Sequence, residues 1–156
     1  FEVRRGIRGV SLTSSSLDLK PRKMMLIRAT MIWLVILVFA VLNGVLREAV
    51  LFSAMGKAPG FITSAIILGL LIFATAYFSL SWIGASDSKQ LFLIGFLWLM
   101  LTLAFEFSFG FARGVSLDEI LSAYSFKEGN IWPLVLLVTF FAPFLAAKVR
   151  FRSKLQ

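Results

Sequence analysis

The sequence predicts an all-helical integral membrane protein, a bundle of four transmembrane helices with both termini on the same, cytoplasmic, side. Three observations carry that prediction. Of the 156 residues 59% are hydrophobic and 15% charged, where roughly 45–50% and about 25% are usual for a soluble domain, and the mean hydropathy is +0.90. A soluble fold of this length would have to hide more apolar surface than one core holds. Uncharged runs of bilayer length lie between the charges, and Lys and Arg gather at the two ends of the chain.

The runs read directly. Residues 29–46 lie between Arg28 and Arg47, and 58–86 between Lys57 and Asp87. Lys89 opens a run whose first charge is Glu106, and 129–147 are clean up to Lys148. A bilayer core needs about 20 mostly apolar residues in a helix, which predicts helices over about 25–47, 60–83, 90–111 and 131–149 within a domain of residues 25–150. A transmembrane barrel would need shorter segments of alternating polarity, and residues 31–42 show none. Residues 1–24 form a basic, Ser-rich tail, with Arg4, Arg5, Arg8, Lys20, Arg22 and Lys23 against Glu2 and Asp18. That composition fits a transit peptide, a membrane-surface arm or a flexible terminus. Met24 and Met25 directly precede the first run, so one reading makes either the start and the preceding residues an extension. Residues 151–156 are a second basic tail.

Orientation follows from the cations. With the N-terminus inside, twelve of the sixteen Lys and Arg are cytoplasmic, leaving Arg47, Lys57, Arg113 and Lys127 outside; the positive-inside rule favours that arrangement. The same distribution accounts for the net charge of +8 through contact with anionic lipid, without nucleic acid, whose readers need a basic face interleaved with base contacts. His and Cys are both absent. That removes zinc sites, haem ligation through His, Ser-His and Cys-His nucleophiles, thiolate clusters and disulfides, and no metal or cofactor is expected.

The informative residues are the ionisable groups that interrupt or flank the runs. A helix entering near Lys89 reaches Glu106 after about 25 Å of rise, near the far boundary of the hydrocarbon. Arg47 and Glu48 fall at the same level on the first helix, and Arg113 just beyond. At 100° per residue Asn43, Gly44, Arg47 and Glu48 share one side within about 140°, while Glu106, Gly110 and Arg113 form a narrower stripe. A charged side chain inside a membrane is costly unless it finds a partner, so the expected pairs are Arg47 with Glu106 and Glu48 with Arg113. The cluster of Asn43, Arg47, Glu48, Glu106 and Arg113 then reads either as a lock between the first and third helices, with a close-packed glycine on each, or as the wall of a pocket for an ion or head group.

Pro143 removes the bond to the Thr139 carbonyl and predicts a kink in the fourth helix, whereas Pro133 marks its first turn. Trp82 and Trp132 sit at run ends and suit an aromatic belt; Trp33 and Trp98 have no evident pattern. Residues 115–130 read as an amphipathic surface segment capped by Ser116. Gly44-Val-Leu-Arg47 echoes Gly110-Phe-Ala-Arg113, and a true repeat would make two parallel hairpins related by an axis along the membrane normal.

The stretches Asn43-Gly-Val-Leu-Arg-Glu48, Phe105-Glu-Phe-Ser-Phe-Gly110 and Ile131-Trp-Pro-Leu-Val135 resemble small four-helix bacterial inner-membrane proteins of unassigned activity. The resemblance covers most of residues 25–150 and implies a fold and a location, with an organellar membrane as the alternative. It implies no reaction. No nucleophile sits in a recognisable setting, so the chain reads as a non-enzyme. The favoured reading is an accessory or structural subunit packed by lipids and by a larger complex or further copies of itself. A small oligomeric transporter or channel using the Arg/Glu cluster is the alternative, and a lipid-acting interfacial enzyme a third.

Overall fold

All four uncharged runs are helical in the computed structural model, which describes residues 13–85, 87–122, 124–126 and 130–153, with side-chain surroundings between residues 22 and 150. Helix α1 runs Thr13–Leu46, continues through a π-helical turn at Arg47–Leu51, and ends in the short α2, Phe52–Met55. Helices α3 (Lys57–Ile83), α4 (Ser88–Ala112), α5 (Leu117–Ser122) and α6 (Trp132–Ser153) follow, and the described residues include no strand. Four helical stretches are long and apolar enough to cross a membrane: Arg22–Met55, Lys57–Ile83, Ser88–Ala112 and Trp132–Arg150. Residues 13–24, expected as tail, are thus already helical; residues 1–12 and 154–156 lie outside the described residues.

The helix ends follow local chemistry. Gly56 breaks the chain between α2 and α3 at φ +86°, a conformation that a side chain disfavours. Gly84 ends α3 in the left-handed region and donates its N–H to the Leu80 carbonyl at 3.1 Å. Asp87 then opens α4 by accepting the Gln90 N–H at 2.8 Å, a side-chain N-cap. At the far end Gly114, φ +75°, lets Val115 N–H reach the Gly110 carbonyl at 3.0 Å, the reversed bond of a Schellman cap.

Around the bundle the order is α1, α3, α6, α4, so α1 and α6 stand on one diagonal and α3 and α4 on the other. Helix α1 runs antiparallel to α3, since Asn43 meets Ser64 while Arg28 meets Trp82. It runs parallel to α4, with Ala29 against Trp98 and Trp33 against Thr102. This overturns the axis expected from the Gly-x-x-Arg echo: a two-fold along the bundle would place α1 diagonally opposite α4, not beside it. The core between the helices is filled by Leu68, Ile72, Ile83, Ile94 and Trp98.

Two indoles bind α1 to α4. Trp98, wholly buried, donates Nε1–H to the Ala29 carbonyl at 2.9 Å. Trp33 donates to Thr102 Oγ1 at 3.0 Å, and that hydroxyl donates in turn to the Trp98 carbonyl at 2.8 Å. Each tryptophan therefore hydrogen-bonds the helix opposite, which satisfies a donor that an apolar interior would otherwise strand.

The close-packed glycines are not the expected ones. A Cβ on Gly44 would meet open space, and one on Gly110 would meet the flexible Ile120 side chain. Gly95 instead lies directly against the α6 backbone, where a Cβ would stand 2.1 Å from the Phe140 carbonyl oxygen. Pro143 is fully buried one turn further on, within the continuous α6. Gly95→Ala should therefore lower stability by about 1–3 kcal/mol in detergent thermal unfolding, the usual range for overpacking. Gly44→Ala should cost nothing, and equal stability of the two variants would contradict this packing.

Candidate functional site

The polar residues at the α2 end of the bundle fall into two centres instead of one cluster. The first is built on the last turns of α1. Asn43 and Arg47 are one helical turn apart and 40° apart around the axis, so both face inward, whereas Glu48 is rotated a further 100°. Asn43 is 5% exposed and donates Nδ2–H to Ser64 Oγ on α3 at 2.7 Å. The Arg47 side chain is 25% exposed and Glu48 73%. Their own ion pair, Arg47 Nη2 to Glu48 Oε1 at 3.7 Å, is made along the π-helical turn to a solvent-facing carboxylate.

Aromatic rings hold the guanidinium from the other side. Its carbon lies 5.2 Å from the Phe61 ring centroid and 5.9 Å from that of Phe52, and the two rings pack edge to face at 5.0 Å. Gly60 makes room, because a Cβ there would fall 2.7 Å from the Phe52 ring. Among the described residues, these contacts leave two polar atoms buried without a hydrogen bond, Asn43 Oδ1 and Arg47 Nε. Both residues line a narrow cleft with free space for about one water, together with Phe61, Ser64, Asn130 and Trp132.

The second centre is Glu106 on α4. Its carboxylate accepts a hydrogen bond from Tyr124 Oη at 2.5 Å, and the Trp132 side chain reaches the same group. Tyr124 belongs to the segment after α4, expected to lie on the surface. Residues 116–119 and 121–122 are exposed as expected and the Ser116 hydroxyl caps α5 by accepting the Glu119 N–H at 3.3 Å, while Ile120 packs inward on Gly110 and the Tyr124 ring stacks on Phe107 at 6.2 Å. Helix α6 opens with Asn130 Oδ1 accepting the Trp132 backbone N–H at 3.0 Å.

Neither expected ion pair is formed. Arg47 pairs with its neighbour Glu48, not Glu106; Glu106 takes a phenol; and exposed Arg113 lies over the Phe109 ring at 5.6 Å. A helical wheel assigns faces without assigning neighbours, and both carboxylates had a closer partner. Sequence reading missed Ser64, Phe61, Tyr124 and Trp132. The available signal was that Ser64 interrupts an apolar run and that a buried Asn needs a partner.

Comparison of the chain with protein-family models, with curated proteins and with solved structures finds no match in any of the three.

Burial pushes the Tyr124 hydroxyl above its ordinary range, and the hydrogen bond to Glu106 and the charge of Glu106 push it further. The neutral phenol is therefore favoured in the fold, so its contribution is complete below about pH 10, the ordinary tyrosine value, and is lost as pH rises beyond it. Absorbance titration of Tyr77→Phe protein, which leaves Tyr124 as the single tyrosine, should show ionisation displaced upward. Adding Glu106→Gln should move it part of the way back. An ordinary midpoint in the first variant would contradict the buried contact.

Proposed function

We propose that the protein is a multi-pass membrane protein that serves as an accessory or structural subunit, packing its lipid-like outer surface within a larger membrane assembly. The observation that carries this reading is the dispersal of the charged groups. Arg47 and Glu48 neutralise one another at the rim, Glu106 is occupied by Tyr124, and Arg113 faces outward. The interior between the helices is filled by Trp98, Ile94, Leu68 and Ile72. A transport route through one copy needs polar groups in series along a cavity, and acid–base catalysis needs two titratable groups around one reacting atom. Glu48 and Glu106 occupy different surroundings and supply neither.

The outer surface supports the packing role. Large apolar side chains are exposed on every spanning helix, among them Val41 and Leu42, Ile66 and Phe78, Phe92 and Phe96, Phe141 and Leu145. In water so much contiguous apolar surface would aggregate; in a bilayer it is compatible with lipid and with further helices alike. Under the positive-inside rule the basic ends favour both termini in the cytoplasm, and the resemblance noted above favours a bacterial inner membrane.

Purification from native membranes in a mild detergent should yield the chain with other subunits, in a fixed ratio that survives a second chromatographic step. Reconstituted alone, it should pass no more ions or small solutes than empty liposomes. A homogeneous homo-oligomer whose flux disappears in Glu106→Gln would overturn the reading in favour of transport.

A further inference from the structure

Three separate helices bring their cations to one end of the bundle. Arg28 on α1 meets Trp82 in the last turn of α3, and Lys89 stands in the first turn of α4, just after the connection that follows. Helix α6 runs parallel to α3, with Val138 against Gly69 and Arg150 against Tyr77. Arg22, Lys23, Arg28, Lys89, Lys148 and Arg150 therefore share this end. Asp87 is the one carboxylate among the described side chains there, and its Oδ1 caps α4 by accepting the Gln90 N–H. At the opposite end Arg47, Lys57 and Arg113 are balanced by Glu48, Glu106, Asp118 and Glu119.

Part of this charge serves the fold. Arg28 donates Nη1–H to the Trp82 carbonyl at 2.9 Å, with its guanidinium carbon 5.5 Å from that indole. Arg150 treats Tyr77 in the same way, at 3.3 Å to the carbonyl and 6.0 Å to the ring. Both contacts set positive charge against the negative, C-terminal end of the α3 dipole. The lysines are different: Lys23, Lys89 and Lys148 are exposed, and beside Arg28 so is Trp82, at 48%. The uncharged stretch after Arg28, residues 29–46, rises about 27 Å as a helix, close to the roughly 30 Å of a hydrocarbon core. Arg28, Trp82 and Lys89 then stand at the depth of the lipid head groups, where an exposed indole also belongs. Each basic side chain near an anionic leaflet strengthens attachment roughly fivefold, and here neighbouring carboxylates do not cancel the effect.

We infer that the end of the bundle carrying Arg28, Lys89 and Lys148 is a surface that selects anionic lipid, binding the phosphates of phosphatidylglycerol-type head groups in the leaflet it faces. The opposite end, with its charges balanced, has no such selectivity. The inference rests on the reading that the chain spans a bilayer and is independent of the subunit role.

The test is native mass spectrometry of delipidated full-length protein in a neutral detergent, titrated with phosphatidylglycerol and with phosphatidylcholine of the same acyl chains. Phosphatidylglycerol should bind at least about fivefold tighter, the effect of one basic side chain, and the gap should narrow as ionic strength rises. Lys89→Gln with Lys148→Gln, two exposed side chains whose loss spares the fold, should remove most of the preference. Arg28→Gln should lower it further, whereas Arg28→Lys, which keeps the charge, should preserve it. Lys57→Gln with Arg113→Gln, exposed cations of the opposite end, should leave it unchanged. Equal binding of the two lipids, a preference that survives loss of Arg28, Lys89 and Lys148 together, or one lost equally in the opposite-end variant would overturn the surface. Displacement of phosphatidylglycerol by an equal concentration of inorganic phosphate would overturn it too, by marking a site for a small soluble anion. Reconstitution into phosphatidylcholine bilayers reports whether the chain inserts at all. Failure there overturns the membrane reading and this inference together, while insertion without lipid preference overturns this inference alone.

Discussion

Crossed indole hydrogen bonds set α1 beside α4, and the position of every polar group at the far end of the bundle follows from that placement. In a bilayer, where the outer surroundings of helices are as apolar as their contacts, hydrophobic burial discriminates poorly among neighbours. Polar bonds and close backbone packing discriminate well. Trp98 to Ala29 and Trp33 to Thr102 fix both partner and register, because each indole N–H is bonded to an acceptor on the opposite helix. Such contacts average only about 0.6 kcal/mol in membranes, yet a helix displaced by one turn would strand both indoles together. Gly95 performs the equivalent task between α4 and α6 by admitting the Phe140 carbonyl.

With α1 held there, its last turns face α3. Asn43 reaches Ser64, Arg47 lodges against Phe52 and Phe61, and Glu106 is left to the segment that returns from α5. Trp132 stands between the two centres, lining the Arg47 cleft on one side and touching Glu106 on the other. The result is one centre in which a carboxylate is paired with a phenol and one in which Asn43 Oδ1 and Arg47 Nε are buried without a hydrogen bond among the described residues.

The four long apolar helices were legible in the sequence because charges bracket them, but their ends were not: α1 is already helical at Thr13 and continues through the π-helical turn to Met55, and Asp87 caps α4 from just outside its apolar run. Lateral order was not legible: helical periodicity tells which residues share a face and is silent on which helix that face meets. Asn43 and Arg47 were therefore found, whereas their partners were assigned wrongly. Arg47 found a neighbour in sequence, and Glu106 found Tyr124 in a segment that reads as surface because it carries Asp118, Glu119 and Lys127. Trp33 and Trp98 looked scattered because their meaning lies in the indole N–H: in mid-run it requires an acceptor, and Thr102, one turn beyond Trp98, was the available signal.

The separation of the two centres is most directly measured by charge exchange between Arg47 and Glu106, with stability read by thermal unfolding in detergent. If Arg47 pairs with Glu48 and Glu106 with Tyr124, the double variant Arg47→Glu with Glu106→Arg is no more stable than the two single changes predict. The reference pair, Glu106→Gln with Tyr124→Phe, departs from additivity by at least about 0.5 kcal/mol, as contacting residues do. Recovery of stability in the exchanged protein, with additive behaviour in the reference pair, would contradict the account by showing that Arg47 and Glu106 are each other's partners.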